Sequence, residues 1–215
     1  MAGCYCAYTP IEVIRAAGAI PVTLCSTSEK PIAAGEEHLP RNLCPLIKAS
    51  YGFALTDTCP YFHFCDIVVG ETTCDGKKKM YELLDRLRPT HVMQLPQTYL
   101  GDEAKPCPRQ AKGRRDGLPH YLGIPCSCMT PNTKRLDLLD TLVDDYRADG
   151  VVDIILQACH TYNVETFQVR EHLQAKKNIP YIAVETDYYQ GDVEQLSTRM
   201  GAFIEMMPGE RRSLY

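Results

Sequence analysis

The residues of this sequence whose type and number could do chemistry are its cysteines. Eleven of the 215 residues are cysteine, an odd number that cannot pair completely within one chain. In a reducing compartment, thiols in this number point to metal binding, and soft thiolate ligands suit zinc or an iron–sulfur cluster. Because cysteine also packs in cores as a small hydrophobe, position along the chain must decide which cysteines bind.

The spacing of the cysteines favours a cluster over zinc. Structural zinc sites usually draw on C-x₂₋₄-C pairs, whereas the close pairs here are Cys4-x-Cys6 and Cys126-x-Cys128. Other cysteines of the first half recur at intervals of roughly 15 to 20 residues. This spacing suits a cluster that takes one ligand from each βα unit. His160 beside Cys159 is a further metal ligand or, as we favour, a hydrogen-bonded loop residue.

The stretch VVGETTCDGKKKMYELL, residues 68–84, resembles a phosphate-binding loop but fails its requirements. Five residues separate Gly70 from Gly76 where the motif has four, and Lys78 stands where magnesium needs a serine or threonine. The sequence therefore argues against a nucleotide site and leaves Cys74, inside this stretch, to be explained.

Hydrophobic patterning predicts the elements that would position these cysteines. Short apolar runs alternate with amphipathic segments of 12 or more residues, which predicts an α/β fold with a parallel sheet covered on both faces. The first helix should begin at an N-cap Thr9 and stop at Gly18, the next clear helix should be capped by Asp75, and a later one should end at Gly150. The predicted strands are AIPVTL, DIVVG, THVMQL, VVDIILQAC and YIAVET. Helical spacing is also predicted for LPRNLCPLIKASYGFAL, VETFQVREHLQAKK and DVEQLSTRMGAFIEMM, and the last has one apolar face made of Val193, Leu196, Met200, Phe203, Ile204 and Met207.

Three cysteines fall at predicted strand ends or helix starts. Cys6 precedes Thr9, Cys74 follows DIVVG, and Cys159 ends VVDIILQAC. In open α/β sheets, ligands bind beyond the carboxyl ends of the strands. A helix N-terminus carries partial positive charge and favours thiolate over thiol, so we expect lowered thiol pKa values and metal ligation there.

The composition and the irregular middle of the chain indicate how many domains to expect and which kinds of partner are excluded. Residues 98–120 are rich in Pro, Gly and charge, so we predict two Rossmann-like lobes, 1–97 and 121–215, joined by that linker. The net charge of −4, without a basic stripe, argues against nucleic acid. No apolar run approaches the roughly 18 to 20 residues that cross a bilayer, and no signal peptide is apparent, so we expect a cytoplasmic protein without membrane partners.

Several long strings of the sequence resemble a known family, that of the 2-hydroxyacyl-CoA dehydratase D-component and the benzoyl-CoA reductase subunits. More narrowly, the sequence is similar to the double-cubane cluster protein branch. The strings are CAYTPIEVIRAAGAIPV, LPRNLCPLIKASYGFALTDTCPYF, VVGETTCDGKKKMYELL, VMQLPQ, YLGIPCSCMTPN, DGVVDIILQACHTYNVE and PYIAVETDYYQGDVEQLSTRMGAFIEM.

The resemblance implies an oxygen-sensitive protein of two Rossmann-like lobes with the cluster between them, usually a homodimer. In that branch six cysteines hold an [8Fe–9S] double cubane, an ATP-hydrolysing iron–sulfur activator delivers low-potential electrons, and small molecules are reduced. The dehydratase relatives instead hold one [4Fe–4S] cluster by three cysteines and act on a 2-hydroxyacyl thioester. A non-catalytic cluster carrier is the third alternative.

Carried onto this sequence, the resemblance implies particular residues. Glu185, Gln195 and Arg199, with Asp187, would line the cleft or hydrogen-bond the cluster, or else cap and pair helix starts. The implied cluster ligands are Cys6, Cys44 and Cys74 first, then Cys59, Cys126 and Cys159, with Cys25 and Cys128 as substitutes and Cys107 as a further one.

The chain departs from the family in one place. Where the family has a long helical region and a further βα unit with its own cysteine-containing loop, only about 20 irregular residues separate VMQLPQ from YLGIPC here. A single cubane or an incomplete site is therefore an alternative to the double cubane.

Overall fold

The chain consists of two compact units in a computed structural model that describes residues 1–94 and 124–207. Unit 1 spans Met1–Pro131 and unit 2 spans Asn132–Tyr215. The predicted linker 98–120 and Cys107 lie outside the described residues. Among the described residues, no helix is long and apolar enough to cross a membrane.

Unit 1 is built on a parallel four-stranded sheet in the order β2-β1-β3-β4. The order reverses at β1, because the chain steps from β1 to β2 on one side and then places β3 on the other. Its elements are β1 (Ala2–Cys4), α1 (Ile11–Ala16), β2 (Pro21–Thr23), α2 (Ile32–Gly35), α3 (Pro45–Leu55), α4 (Pro60–His63), β3 (Ile67–Glu71), α5 (Asp75–Leu84) and β4 (Thr90–Met93).

Local sequence explains where most of these elements begin and end. Gly18 has a φ of 77°, a left-handed conformation that glycine adopts without steric cost and that ends α1 as predicted. Pro45 occupies the first turn of α3, where its missing N–H is not needed. The N-cap of α5 is Cys74 and not the predicted Asp75. The sequence analysis missed β1 because three residues are too few to show a period.

Close packing of α2 against α3 depends on two glycines. A Cβ on Gly52 would lie 1.9 Å from the Pro31 carbonyl oxygen, and one on Gly35 would lie 2.3 Å from that of Lys48. Lys48 is itself 5% exposed, and its ammonium donates to Glu36 at 2.7 Å and to the Arg41 carbonyl at 2.8 Å. These bonds fix the segment that leads to Cys44 at the start of α3.

Unit 2 contains a parallel pair of strands, β5 and β6, that pack against helices, although Ile154 of β5 is 67% exposed. Its hydrophobic core centres on Val143, Val169 and Leu173. Its elements are α6 (Thr133–Tyr146), β5 (Val151–Leu156), α7 (His160–Lys177), β6 (Tyr181–Thr186), a 3₁₀ turn (Gln190–Asp192) and α8 (Val193–Glu205). The α/β class with a parallel sheet is confirmed, whereas the placement of a cluster between two lobes stays a prediction.

Several predicted boundaries in unit 2 were wrong by a few residues. Helix α6 ends at Tyr146 with Arg147 as its C-cap, at a left-handed φ of 50°, and does not extend to Gly150. Strand β5 ends at Leu156, so Cys159 is the N-cap of α7 and not the last residue of the strand. On α8, Phe203 is buried as its apolar face predicted, while Ile204 is 61% exposed.

Candidate functional site

Each of three neighbouring strands in unit 1 is followed closely by a cysteine. Cys25 lies two residues beyond β2, Cys6 two residues beyond β1, and Cys74 three residues beyond β3. Because these strands are parallel, their carboxyl ends meet at one edge of the sheet. The reversal of strand order lies between β1 and β3, which is where open α/β sheets bind ligands.

Cys6 stands at a strained turn directly after β1. Its φ is 69°, a left-handed conformation that is uncommon for a residue with a Cβ. The Tyr5 N–H still donates to the Val69 carbonyl at 3.0 Å, so the chain leaves the sheet at Cys6 itself. Such strain costs about 1–3 kcal/mol and persists only where the surroundings hold the residue in place.

A buried polar network surrounds the Cys6 turn. Glu71, the last residue of β3, is fully buried, and its carboxylate accepts from the Tyr8 N–H at 3.0 Å and the Thr9 hydroxyl at 3.2 Å. The buried Lys77 ammonium lies near both Cys6 and Glu71, and its positive charge opposes the rise in the pKa of each. The predicted N-cap role of Thr9 is wrong, because its hydroxyl is used by Glu71 and the Tyr5 carbonyl.

The pKa values in this network are set mainly by burial. Desolvation raises the pKa of the Cys6 thiol, with Lys77 opposing the shift and Glu71 adding to it. Desolvation likewise raises the pKa of Glu71. The expectation of a lowered thiol pKa is therefore wrong for Cys6, because the loss of water outweighs the neighbouring positive charge.

Two further thiols lie beside Cys6. Tyr8, Cys128 and Met129 form a buried hydrophobic cluster against which Cys6 and Cys126 pack. The Tyr8 hydroxyl donates to the Ile124 carbonyl at 3.0 Å and so ties the turn after β1 to the segment that carries both later cysteines. The pKa of the Cys128 thiol is raised, first by its hydrogen bond with Cys126 and then by burial. Cys6, Cys126 and Cys128 are thus brought together in unit 1.

Cys44 and Cys74 are the N-caps of helices that touch each other. Cys44 is buried at the start of α3, and Cys74 begins α5. The first turn of α5 packs closely on α3, since a Cβ on Gly76 would lie 2.7 Å from Ile47 Cδ1 and 2.8 Å from Leu43 Cδ1. Both cysteines therefore sit at helix N-termini in the same unit.

Cys59 and Cys65 are engaged in local structure. The Cys59 sulfur caps α4 by accepting from the Phe62 N–H at 3.5 Å. Cys65 is 1% exposed, and its thiol donates to the Tyr61 carbonyl at 2.9 Å. These contacts suit a structural role for Cys65, as the sequence analysis assumed by leaving it out of the ligand set.

The remaining predicted site residues belong to unit 2. Glu185 lines a pocket beyond the carboxyl ends of β5 and β6 together with Gln157, Thr186, Asp187 and Asp192. The Arg199 guanidinium donates to the Ala183 carbonyl at 2.9 Å, which anchors α8 on β6, and Gln195 is exposed on the same helix. At the start of α7, the Cys159 sulfur lies 3.9 Å from the Thr161 hydroxyl oxygen. Their roles stay predictions.

The described donor groups of unit 1 are of the type that binds an iron–sulfur cluster, although they do not form a preorganised metal site. Three thiols converge beside a buried cation, and the Ser127 hydroxyl between Cys126 and Cys128 is buried without a hydrogen-bond partner in the part of the chain that the structure describes. A buried orphan donor beside thiols suits a sulfur-rich ligand that accepts it. Within residues 1–94 and 124–207, no group of three or more His, Cys, Asp or Glu side chains is placed to hold a metal ion.

Sequence reasoning missed four residues of this site: Glu71, Lys77, Tyr8 and Ser127. Glu71 could have been noticed as a charged residue at the end of the buried run IVVGE, and Lys77 as part of the loop that failed the phosphate motif. Tyr8 and Ser127 carry no pattern that separates them from other tyrosines and serines.

Comparison with known proteins places the chain in a family. The model of the 2-hydroxyglutaryl-CoA dehydratase D-component family matches residues 6–111 and 116–207. A protein of Escherichia coli (strain K12), YjiM, whose provisional name is dehydratase subunit, is 34% identical over 349 residues, covering 96% of this chain and 91% of the relative. Because the chain has 215 residues, at least 134 of those 349 positions have no counterpart here.

The break between the two matched segments falls within the predicted linker, where the sequence analysis expected a long part of the family to be missing. Residues 6–111, which include Cys6 and Cys74, and residues 116–207 are each matched without interruption. The chain belongs to the 2-hydroxyglutaryl-CoA dehydratase D-component family.

Proposed function

We propose that this chain is the iron–sulfur subunit of a dehydratase-type enzyme that acts on a 2-hydroxyacyl-CoA. The observation that carries the proposal is the convergence of Cys6, Cys126 and Cys128 around Tyr8, next to the reversal of strand order. When bound, an iron–sulfur cluster supplies low-potential electrons and, where one iron keeps an open position, a Lewis acid. The protein supplies ligation, burial and hydrogen bonds.

The thiols proposed to hold the cluster fall into two groups. Cys6 and Cys126 lead, with Cys128 promoted from a substitute because it packs in the same cluster. Cys44 and Cys74 follow, since both begin helices whose N-terminal N–H groups can donate to sulfur. Cys59 and Cys159 complete the ligand set that the family resemblance implies.

The polar residues of unit 2 are proposed to meet the substrate. Glu185 and its pocket neighbours lie beyond the ends of β5 and β6, where ligands of α/β sheets bind. Arg199 is held by the Ala183 carbonyl and keeps further N–H groups for a carboxylate or phosphate of an acyl-CoA. Gln195 lies one turn before Arg199 on the same helix and could donate or accept beside it.

The second candidate is a double-cubane reductase of small molecules. The observation that favours it is the number of cysteines in unit 1: besides the three beside Tyr8, Cys25, Cys44 and Cys74 lie at strand ends or helix starts. One cubane with an open iron needs only three thiols, so this surplus favours a larger cluster. A non-catalytic cluster carrier is the outcome if iron binds and no partner restores activity.

Both enzyme candidates imply partners. A cluster that works at very low potential needs an electron donor, and we propose the ATP-hydrolysing iron–sulfur activator that the family resemblance implies. We also propose a homodimer, or a second subunit in the dehydratase case. The activity would be assayed with activator and partner present.

Anaerobic metal and sulfide analysis of the reconstituted chain tests the proposal directly. About four irons per chain supports the dehydratase type, and about eight supports the double cubane. Low-temperature paramagnetic resonance of the reduced protein then distinguishes a cluster from adventitious iron. Zinc, or no metal at all, would refute both enzyme candidates.

Single cysteine variants test the placement of the cluster. Cys6→Ser and Cys74→Ser should lose cluster absorbance while the fold remains, as judged by circular dichroism. Cys65→Ser is the matched control, because that thiol donates a hydrogen bond to the Tyr61 carbonyl. This variant should leave the cluster in place. Equal loss of absorbance in the control would contradict the assignment.

A further inference from the structure

Lys77 is an unusual lysine on a helix that carries two ordinary ones. Its side chain is 8% exposed, whereas Lys78 pairs with Asp75 and Lys79 with Glu82 at the surface. Lysine is almost never buried unless it is paired, because desolvating the ammonium is costly. The burial of Lys77 therefore calls for an anionic partner at the edge of the sheet.

Two groups meet that requirement. The Lys77 ammonium lies close enough to Cys6 to oppose the rise in the pKa of that thiol, and the Glu71 carboxylate is the nearby opposite charge. Glu71 in turn accepts from the Tyr8 N–H and the Thr9 hydroxyl. A cation from α5 and an anion from β3 thus both lie beside the turn that carries Cys6.

We propose that Lys77 and Glu71 are positioning residues for the Cys6 sulfur, with Lys77 holding the sulfur and balancing its negative charge in the ligand state, and Glu71 fixing the backbone of residues 6–9. The part concerning the ligand state rests on the proposed function. The positioning of the turn does not, because it is a property of the chain alone.

The strained backbone of Cys6 gives the physical reason. A left-handed cysteine relaxes unless neighbouring contacts outweigh the strain, and the bonds to Glu71 are the polar contacts that hold the residues just after it. A sulfur that ligates a metal keeps its negative charge, and in a site poor in water that charge needs a cation or N–H donors. Lys77 provides both at one position.

Iron retention and reduction potential test the role of Lys77. Lys77→Met should weaken iron binding about 10- to 100-fold, the usual cost of losing a residue that supports a ligand, and should lower the reduction potential because a nearby positive charge is gone. Lys78→Met, on the same helix at the surface, should change neither. Lys77→Arg keeps the charge and should recover the potential. Wild-type iron retention and potential in Lys77→Met would overturn this role.

Hydrogen exchange of the metal-free full chain tests the role of Glu71. Glu71→Leu removes the acceptor of the Tyr8 N–H, so that amide should exchange at least about tenfold faster, since a hydrogen bond to a charged group contributes about 1.5–3 kcal/mol. Glu82→Leu, a surface change in α5, is the control and should leave the Tyr8 amide protected. Unchanged protection in Glu71→Leu would refute the positioning role.

A double variant distinguishes the loss of the positioning role from unfolding caused by an unpaired buried charge. Removing one member of a buried charged pair leaves the other unpaired, whereas replacing both by apolar residues is often tolerated. Lys77→Met combined with Glu71→Leu should therefore fold, yet lose Tyr8 protection and iron affinity together. If the wild-type chain takes up no iron, the proposed function fails, while the exchange rates still decide the positioning role.

Discussion

The hydrogen bond from Tyr8 to Ile124 offers a direct test of how the three thiols are brought together. The Tyr8 hydroxyl lies 3.0 Å from the Ile124 carbonyl oxygen, and this hydrogen bond ties the turn after β1 to the segment 124–129. Tyr8→Phe removes only this oxygen and keeps the ring, which is 4% exposed and packs on Cys128 and Met129. The substitution therefore separates the hydrogen bond from the apolar contact.

The expected magnitude follows from the burial of both groups. A neutral hydrogen bond contributes about 1 kcal/mol net, within about 0.5–1.5 kcal/mol, and a carbonyl left without a donor in a partly buried place loses no less. At 25 °C, 1 kcal/mol corresponds to about a fivefold change in an opening equilibrium. The segment that carries Cys126 and Cys128 should open about fivefold more often.

The Met129 amide reports this opening, because it donates to the Cys126 carbonyl at 3.0 Å. Site-resolved hydrogen exchange should show its protection reduced about fivefold in Tyr8→Phe, with amides of α7 unchanged. Tyr146→Phe, a change at a 79% exposed ring in unit 2, is the control. Protection of Met129 equal to wild type would refute the reasoning that the tyrosine hydroxyl joins the two cysteine segments.

Three further substitutions test other parts of the structure. Gly52→Ala should lower the free energy of unfolding by about 1–3 kcal/mol, because its Cβ would meet the Pro31 carbonyl, whereas Gly201→Ala on open helix surface should be neutral or stabilising in the same denaturant titration. The hydrogen bond from Lys176 on α7 is the main cause that lowers the pKa of Asp140. The stabilisation by this carboxylate is therefore present at neutral pH and is lost as the pH falls through the lowered pKa. Asp140→Asn should accordingly destabilise the chain at pH 7 and have the stability of wild type in strong acid. Ser127→Ala should leave the stability of the metal-free chain unchanged or higher while reducing iron retention, and equal retention would remove the hydroxyl from the site.

Much of the fold could be predicted from local signals. The strands β3, β4 and β6 stand out as apolar runs, helices α3 and α8 follow from the spacing of their apolar residues, and α5 was expected after a cap at Asp75. The failures were at boundaries and short elements. The strand β1 has three residues, and α7 begins at His160, four residues before its predicted start, because the polar residues His160–Asn163 carry no apolar signal although they complete its first turn.

The candidate site was only partly accessible to sequence reasoning. The order of elements placed Cys74 after a strand and Cys6 just before a helix, whereas the strand that precedes Cys6 was not predicted. The choice between Cys126 and Cys128, and the network of Glu71 and Lys77, depends on contacts across 50 or more residues that no local pattern records.

The sequence by itself determined the α/β class, the order of most elements and the family, because hydrophobic period, turn residues and long uncommon strings are properties of neighbouring residues. Only the tertiary structure decided that β1 lies between β2 and β3, that Cys6 turns into the left-handed region, and that a buried lysine and a buried glutamate lie beside it. These features arise when distant segments exclude water together, since the charge on Lys77 and the strain at Cys6 are tolerated only where partners from other elements offset their cost.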